Sequence, residues 1–229
     1  MRLGDLTWRR AETGSLVLVP VGSLEQHGPH LPLNTDSVIA TAVAEGMARA
    51  LASSRTVAVA PAVPFGASGE HQEFPGTVSI GTEALALVLV ELARSLGTWA
   101  AGVVFVNGHG GNLDAFGAAV EVIRAEGMAA TWVPCAVPDG DAHAGRTETS
   151  LMLHLGPDTV ELGVAAAGAT EPIGRLLPAL RAAGVRAVAP NGVLGDPAGA
   201  SAAEGERLLA SMISGALARL EPTLAAGAR

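Results

Sequence analysis

The stretch LVLVPVGSLEQHGPHLPLNTD, residues 16–36, carries the pattern that decides the fold. It begins with a continuous apolar run, Leu16–Val21, which is typical of a strand buried on both faces of a sheet. A polar segment rich in Gly and Pro follows, and Asn34 or Thr35 can then cap a helix that we predict over Asp36–Leu51. A buried strand that leads through a loop into a helix is the beginning of a parallel α/β unit.

The same alternation continues along the chain. Further strands rich in β-branched residues are predicted at Val57–Ala60, Val103–Val106 and Ala130–Val133. Further helices are predicted at Thr82–Leu96, Leu113–Glu126, Thr147–Leu155, Ile173–Ala183 and Ala202–Leu220. This order predicts a single α/β domain over residues 1–229, a three-layer α/β/α sandwich with a mainly parallel sheet.

Composition excludes several classes of partner. The net charge is −8, and all 14 basic residues are scattered Arg, so we expect no binding to nucleic acid. Hydrophobic residues make up 49% of the chain, yet no apolar run reaches the roughly 18 to 20 residues that a membrane span needs. The N-terminus lacks the apolar core of a signal peptide, which predicts a cytoplasmic protein. The apolar excess favours a homo-oligomer over a monomer.

The polar segment after the first strand contains candidate metal ligands. Ligands of open α/β sheets bind beyond the carboxyl ends of strands, which is where this segment lies. Glu25 and His27 are two residues apart, so an extended backbone directs both side chains the same way, and Asp36 can return to the same crevice. Mixed carboxylate and imidazole ligands suit Zn, Mn or Fe. Taken alone, Asp36 is equally typical of an acid at a helix start.

The segment NGHGGN, residues 107–112, joins the third strand to a helix and has two interpretations. A Gly-rich turn before a helix can cradle phosphate, but neither dinucleotide nor P-loop spacing is present. Alternatively, the glycines leave room around His109 for a metal ion and a substrate. We favour the second interpretation, because His109 then joins the other candidate ligands at one sheet edge.

Two long irregular stretches, residues 63–81 and 134–145, are predicted to be functional loops. In the second, His143 is a candidate general acid or base beside a metal-bound water. Asp139 and Asp141 are interpreted as turn residues. The first contains Ser68, Glu70 and His71, which we expect to contact the substrate; His154 is interpreted as an ordinary helix residue.

Four motifs, GSLEQHGPHLPLNTD, GEHQEFPGTVSIG, NGHGGN and HAGRTETS, together resemble the creatininase family in content and order. The resemblance implies an α/β/α sandwich, two divalent metal ions (Zn, Fe or Mn) per chain and a homo-hexamer. By motif, Glu25 and His109 would bind one ion. His27 would bind the other, with Asp36 bridging both, and His143 would be the catalytic histidine.

The chain departs from creatininases proper at two places. They have Tyr-Glu after the metal-binding histidine, and that glutamate binds the second ion; this chain has Gly110 and Gly111. Glu148, five residues after His143, is the predicted replacement ligand and a catalytic candidate, although it could instead cap its helix or pair with Arg146. The aromatic residues of the creatinine pocket are also missing, and the chain contains no Tyr, which favours a larger substrate.

The resemblance extends to a peptidase subgroup of the family, to which the later segment NGVLGDPAGAS, residues 191–201, also points. It implies cleavage of a modified precursor peptide near its C-terminus, releasing a small cyclised product derived from Val and Tyr. The alternative is a creatininase or a formylamide hydrolase acting on a small cyclic or pyrimidine amide. A non-catalytic metal- or nucleotide-binding module built on NGHGGN is a rival of another class.

Overall fold

The computed structural model describes residues 1–226, which form a parallel sheet covered by helices. The four strands are β1 (Leu16–Val21), β2 (Val57–Val59), β3 (Gly102–Asn107) and β4 (Ala130–Pro134). All pairings are parallel, and the strand order is β2-β1-β3-β4. The predicted strands are confirmed to within one residue at each end, and so is the parallel sheet.

The predicted helices are confirmed as well. The helices are α1 (Thr35–Leu51), α2 (Gly81–Leu96), α3 (Leu113–Ala125), α4 (Arg146–Leu155), α5 (Ile173–Val188) and α6 (Ala202–Ala226). α5 ends five residues later than predicted, but its backbone is broken at Gly184, where φ is +72°. A helix cannot pass through this left-handed conformation, so the regular part of α5 ends at the predicted residue, Ala183.

Alternation along the strands divides the core into two layers. Leu16 and Leu18 pack in the cluster that also contains α1, α4 and α6, whereas Val17 and Val19 pack in the cluster that contains α2 and α3. Successive side chains of a strand point to opposite faces, so each strand supplies both clusters. The three-layer α/β/α arrangement is confirmed.

The strand order creates a switch point between β1 and β3. The chain leaves β1 for β2 on one side and then crosses through α2 to β3 on the other side. Connections that leave in opposite directions open a crevice at the carboxyl ends of these two strands, which is the usual ligand site of such sheets. The segment beginning at Gly22 and the turn at Gly108 both start there. Within residues 1–226, no helix is long and apolar enough to cross a membrane.

We expect truncation of Leu151 to test how α4 is held against the sheet. Leu151 is fully buried in the cluster beneath α1 and α6. Leu151→Ala should lower the free energy of unfolding by about 2–5 kcal/mol. The variant loses the transfer free energy of the removed methyl groups and leaves a cavity in which packing contacts are missing. Chemical denaturation measures this. Leu162→Ala, in the segment after α4, where the side chain is 50% exposed, is the control and should change stability by no more than about 0.5 kcal/mol.

Candidate active site

Glu25 is the centre of a cluster of buried polar groups beyond β1 and β3. Its side chain is fully buried, and within the described residues neither carboxylate oxygen accepts a well-formed hydrogen bond. Three imidazole nitrogens lie around Oε1: His109 Nδ1 at 3.2 Å, His71 Nε2 at 3.3 Å and His143 Nδ1 at 3.8 Å. Because a buried charge without a partner is strongly destabilising, this geometry favours a bound cation.

Asp36 lies between two histidines. His27 Nδ1 lies 3.1 Å from the main-chain oxygen of Glu25 and donates to it, so its Nε2 faces the carboxylates. This Nε2 is 3.1 Å from Asp36 Oδ1 and 3.9 Å from Glu148 Oε2. Asp36 Oδ2 is 3.4 Å from His109 Nδ1 and has no hydrogen bond to any described residue. The carboxylate of Asp36 is therefore close to the rings of both His27 and His109.

Clusters of potential ligands fit a metal ion at this position. The groups whose ligand atoms lie within 4.8 Å of one another are Glu25–His27–Asp36, His27–His143–Glu148 and Glu25–His71–His143. They overlap, so neighbouring positions share ligands, as two-metal sites do. The orphaned oxygens of Glu25 and Asp36 and the nitrogen-rich donor set match the preference of Zn, Mn or Fe.

The pKa shifts report a strongly negative potential. Burial alone would lower the pKa of His27, but Asp36, Glu148 and Glu25 outweigh it and raise the pKa to about 10. The pKa of His109 is likewise well above its usual range, since Glu25, Glu70 and Asp36 outweigh burial. A potential that holds a proton on a buried imidazole also attracts a metal cation.

His143 stands in a different environment. Its ring centroid is 4.3 Å from that of His27 and 4.5 Å from that of His71. Burial and then the charges of these two neighbours hold the pKa of His143 well below its usual range. The pKa of His71 is also lowered, first by burial. A neutral imidazole can accept a proton, which is the property a general base requires.

Glu148 extends from the first turn of α4 towards His27. Its Oε2 accepts a hydrogen bond from the main-chain nitrogen of Ala144 at 2.6 Å, and burial raises its pKa to about 7. Arg146 instead pairs with Glu204, at 2.8 Å. The carboxylate of Glu148 is therefore left for the crevice and for the turn in front of its helix.

The loop between β2 and α2 closes one side of the cluster. Ser68 is fully buried, and its hydroxyl has no hydrogen-bond partner among the described residues. Glu70 Oε1 lies 3.4 Å from His109 Nε2, an ion-pair distance, and its side chain is 32% exposed. Of the three predicted substrate-contacting residues, Glu70 and His71 therefore border the cluster, and Ser68 lies in the same loop, where its main-chain oxygen accepts from His71 N at 3.0 Å. His154, on α4, does not belong to it.

Two asparagines that the sequence analysis did not single out hold the crevice together. Asn112 Nδ2 donates to Gly22 O at 3.2 Å and to Asn107 Oδ1 at 3.1 Å, while its Oδ1 accepts from Ala67 N at 2.8 Å. These bonds join the ends of β1 and β3 to the loop at Ala67. Asn residues at both ends of a Gly-rich turn were the signal available in the sequence.

A family model described as Creatininase, creatinine amidohydrolase, matches residues 4–220. The mycofactocin precursor peptide peptidase of Mycolicibacterium smegmatis is 56% identical over 208 residues, covering 90% of this chain and 84% of that protein. The creatinine amidohydrolase of Pseudomonas putida is 32% identical and covers 70% of this chain and 74% of its own. The resemblance carried by the four motifs is confirmed.

Solved structures agree with this assignment. A creatininase variant matches with a TM-score of 0.77 at 28% identity, covering 96% of this chain and 98% of the other. Similar creatininase structures include one described as a manganese form and one as a zinc–zinc form. Fold and site together define an enzyme, a metal-dependent hydrolase of amide bonds. The chain belongs to the creatininase family.

We predict that Gly111 tolerates no side chain. A Cβ there would overlap His109 Nε2 and would lie 2.5 Å from Ala67 O and 2.6 Å from Glu70 Oε1. Gly111→Ala should therefore lower the free energy of unfolding by about 1–3 kcal/mol, the usual effect of overpacking. Gly110→Ala is the matched control, because a Cβ at Gly110 meets nothing within 4 Å. Equal stability of the two variants in urea unfolding would contradict the prediction.

Proposed function

We propose that this enzyme cleaves a modified mycofactocin precursor peptide near its C-terminus and releases a small cyclised product derived from Val and Tyr. The observation that carries the proposal is the high identity to the peptidase of that name across nearly the whole chain. The site supports it through what it lacks: Gly110 and Gly111 replace the Tyr-Glu pair of creatininases. A Cβ at Gly110 would meet nothing within 4 Å, so the crevice has room for a chain end beside this residue.

We propose two divalent ions per chain, with Zn, Fe or Mn as the metal. Glu25, His109 and Asp36 would hold the first, and His27, Asp36 and Glu148 the second. The unpartnered oxygens of Glu25 and Asp36 support the first set, and the approach of Glu148 to His27 supports the second. Such ions, when bound, supply Lewis acidity for the scissile carbonyl and lower the pKa of bound water.

The protein's own groups would move the proton. His143 is buried and neutral, with its Nδ1 facing Glu25, so it is suited to accept a proton during attack and to deliver it to the leaving amine. Glu148, whose pKa burial raises to about 7, is the second catalytic candidate as well as a proposed ligand. Ser68, Glu70 and His71 would bind the substrate at the rim.

The small-amide alternatives find less support. A phosphorylated pyrimidine formylamide would need a free cation nearby, but the nearest candidate, Arg146, pairs with Glu204. A phosphate cradle in the NGHGGN turn would need free main-chain N–H groups. The N–H of His109 already donates to Asn107 Oδ1 at 3.2 Å.

The oligomeric state and the cytoplasmic location stay predictions. A homo-oligomer, a hexamer by family resemblance, would cover exposed apolar side chains such as Leu87 and Val122.

We expect the enzyme to prefer a peptide to creatinine. The purified enzyme loaded with one metal, zinc, manganese or iron in turn, would be given the modified precursor peptide, its unmodified form and creatinine. Mass spectrometry of the products should detect a cleaved C-terminal fragment, because the open crevice accepts a chain end. A chelated sample is the control and should lose hydrolysis. Faster turnover of creatinine would contradict the proposed substrate and leave the fold and the metal site intact.

The variant Glu148→Gln should show whether Glu148 binds the second metal ion or only lies near it. Removing one of the few ligands of the second ion should reduce bound metal from about two ions per chain towards one. Elemental analysis after gel filtration measures this. His143→Ala is the contrast variant and should keep both ions while losing roughly 10²- to 10⁴-fold in turnover. Glu161→Gln, an exposed acid, is the matched control. An unchanged metal count in Glu148→Gln would rule out the ligand assignment.

A further inference from the structure

Gln26 is a buried residue between Glu25 and His27 whose side chain the mechanism above does not use. It is 5% exposed. The side chains on either side of it face the proposed metal centre. Its amide instead forms hydrogen bonds with three other residues: Gly28, Gly192 and His71.

Two main-chain groups determine which way the amide of Gln26 is turned. Gly28 N lies 2.8 Å from Gln26 Oε1, and a main-chain N–H can only donate, so this atom is an oxygen. Gly192 O lies 3.0 Å from Gln26 Nε2, and a carbonyl can only accept, so this atom carries the hydrogens. One of the two amide hydrogens is thereby used.

The second amide hydrogen determines the tautomer of His71. Gln26 Nε2 lies 2.8 Å from His71 Nδ1, which must accept and therefore carries no proton. The proton of the neutral ring is then on Nε2, which lies 3.3 Å from Glu25 Oε1. His71 consequently presents a hydrogen-bond donor to the centre.

The main chain of Gln26 imposes the same tautomer on His143, but with the ring turned so that the other nitrogen, Nδ1, faces the centre. His143 Nε2 lies 2.8 Å from the carbonyl oxygen of Gln26 and must donate to it. Its proximity to Gln26 Nε2, at 3.1 Å, is a contact between two donors and no hydrogen bond. The lone pair of the neutral ring is then on Nδ1, 3.8 Å from Glu25 Oε1.

We propose that Gln26 is a positioning residue that holds both rings as the Nε2–H tautomer in opposite orientations, so that His71 presents an N–H and His143 a lone pair to the same centre. In the hydrolase proposed above, on which this role rests, His143 Nδ1 takes the proton from the attacking water. His71 Nε2–H would donate a hydrogen bond to an oxygen of the substrate. If both rings faced the centre through the same nitrogen, the centre would lack either the acceptor or the donor.

The segment after α5 holds this arrangement in place. A Cβ at Gly192 would overlap Gln26 Oε1 and lie 2.9 Å from its Nε2, and the φ of +80° also requires glycine. Two residues on, Leu194 exchanges main-chain hydrogen bonds with His143, at 2.9 and 3.2 Å. The same segment therefore fixes the amide of Gln26 and the backbone of His143. This gives a structural reason for Gly192, the first of the three glycines in the NGVLGDPAGAS segment.

The direct test is nitrogen-15 NMR of the full-length, zinc-loaded protein labelled at its six histidines. Solid-state spectra distinguish protonated from unprotonated ring nitrogens, and removal of single histidines assigns the signals. We expect His71 to be protonated at Nε2 and His143 to carry a proton at Nε2. A wild-type His71 protonated at Nδ1 would overturn the proposal without any variant being made.

The variant arm uses Gln26→Met, which keeps the side-chain length and removes both hydrogens. It should populate the Nδ1-protonated form of His71 and lower kcat roughly 10- to 100-fold, the usual effect of losing an orienting partner, with metal content unchanged. Gln72→Met, on an exposed residue, is the matched control. Gly192→Ala should reproduce the His71 change by displacing the amide. An unchanged tautomer in both Gln26→Met and Gly192→Ala contradicts the proposal.

The two hypotheses fail separately. If the peptide is not cleaved but the ring tautomers are as described, the proposed substrate is wrong and the role of Gln26 stands as the arrangement of the site. If the peptide is cleaved and the tautomers differ, the role of Gln26 is wrong and the proposed function stands.

Discussion

The buried carboxylate of Glu25 is the constraint on which the rest of the site depends. A fully desolvated anion without hydrogen bonds is among the costliest features a protein interior can contain. Surrounding imidazoles lower the pKa of Glu25 even though burial opposes this, so the group stays charged. The parallel sheet supplies the location, because the switch point between β1 and β3 brings two loops over one crevice. A cation there, as we propose, would compensate the charge and give the surrounding residues a common function.

The relation to creatininases turns on how one lost ligand is replaced. Where those enzymes have a glutamate, this chain has Gly111, and the space that a side chain there would take is filled by Glu70 and the ring of His109. The missing acid is supplied in our proposal by Glu148, from a different helix. Relocating a ligand from the turn after β3 to α4 would keep the charge of the centre and leave the open space at Gly110 for a longer substrate.

The sequence predicted the fold closely because its signals are local. Apolar runs such as Leu16–Val21 and helical periodicity ended by glycine identify the elements within one to three residues, apart from the C-terminal end of α5 and the longer α6. The candidate ligands were also predicted, because the carboxyl ends of parallel strands meet at one edge. Gln26 could not be predicted in the same way. Its decisive partner, Gly192, is 166 residues away, and no periodicity links the two.

The separation of 166 residues between Gln26 and Gly192 also affects the stage of synthesis at which the active site is completed. The residues around Glu25 and His109 leave the ribosome long before the segment at Gly192, and N-terminal parts of a chain begin to fold first. Until that segment docks, the amide of Gln26 lacks its main-chain anchor and the backbone of His143 lacks its pairing with Leu194. A half-made chain can therefore gather its acids and imidazoles without a matched donor and acceptor. In our proposal for Gln26, the enzyme therefore becomes competent only after this segment has been made and has docked.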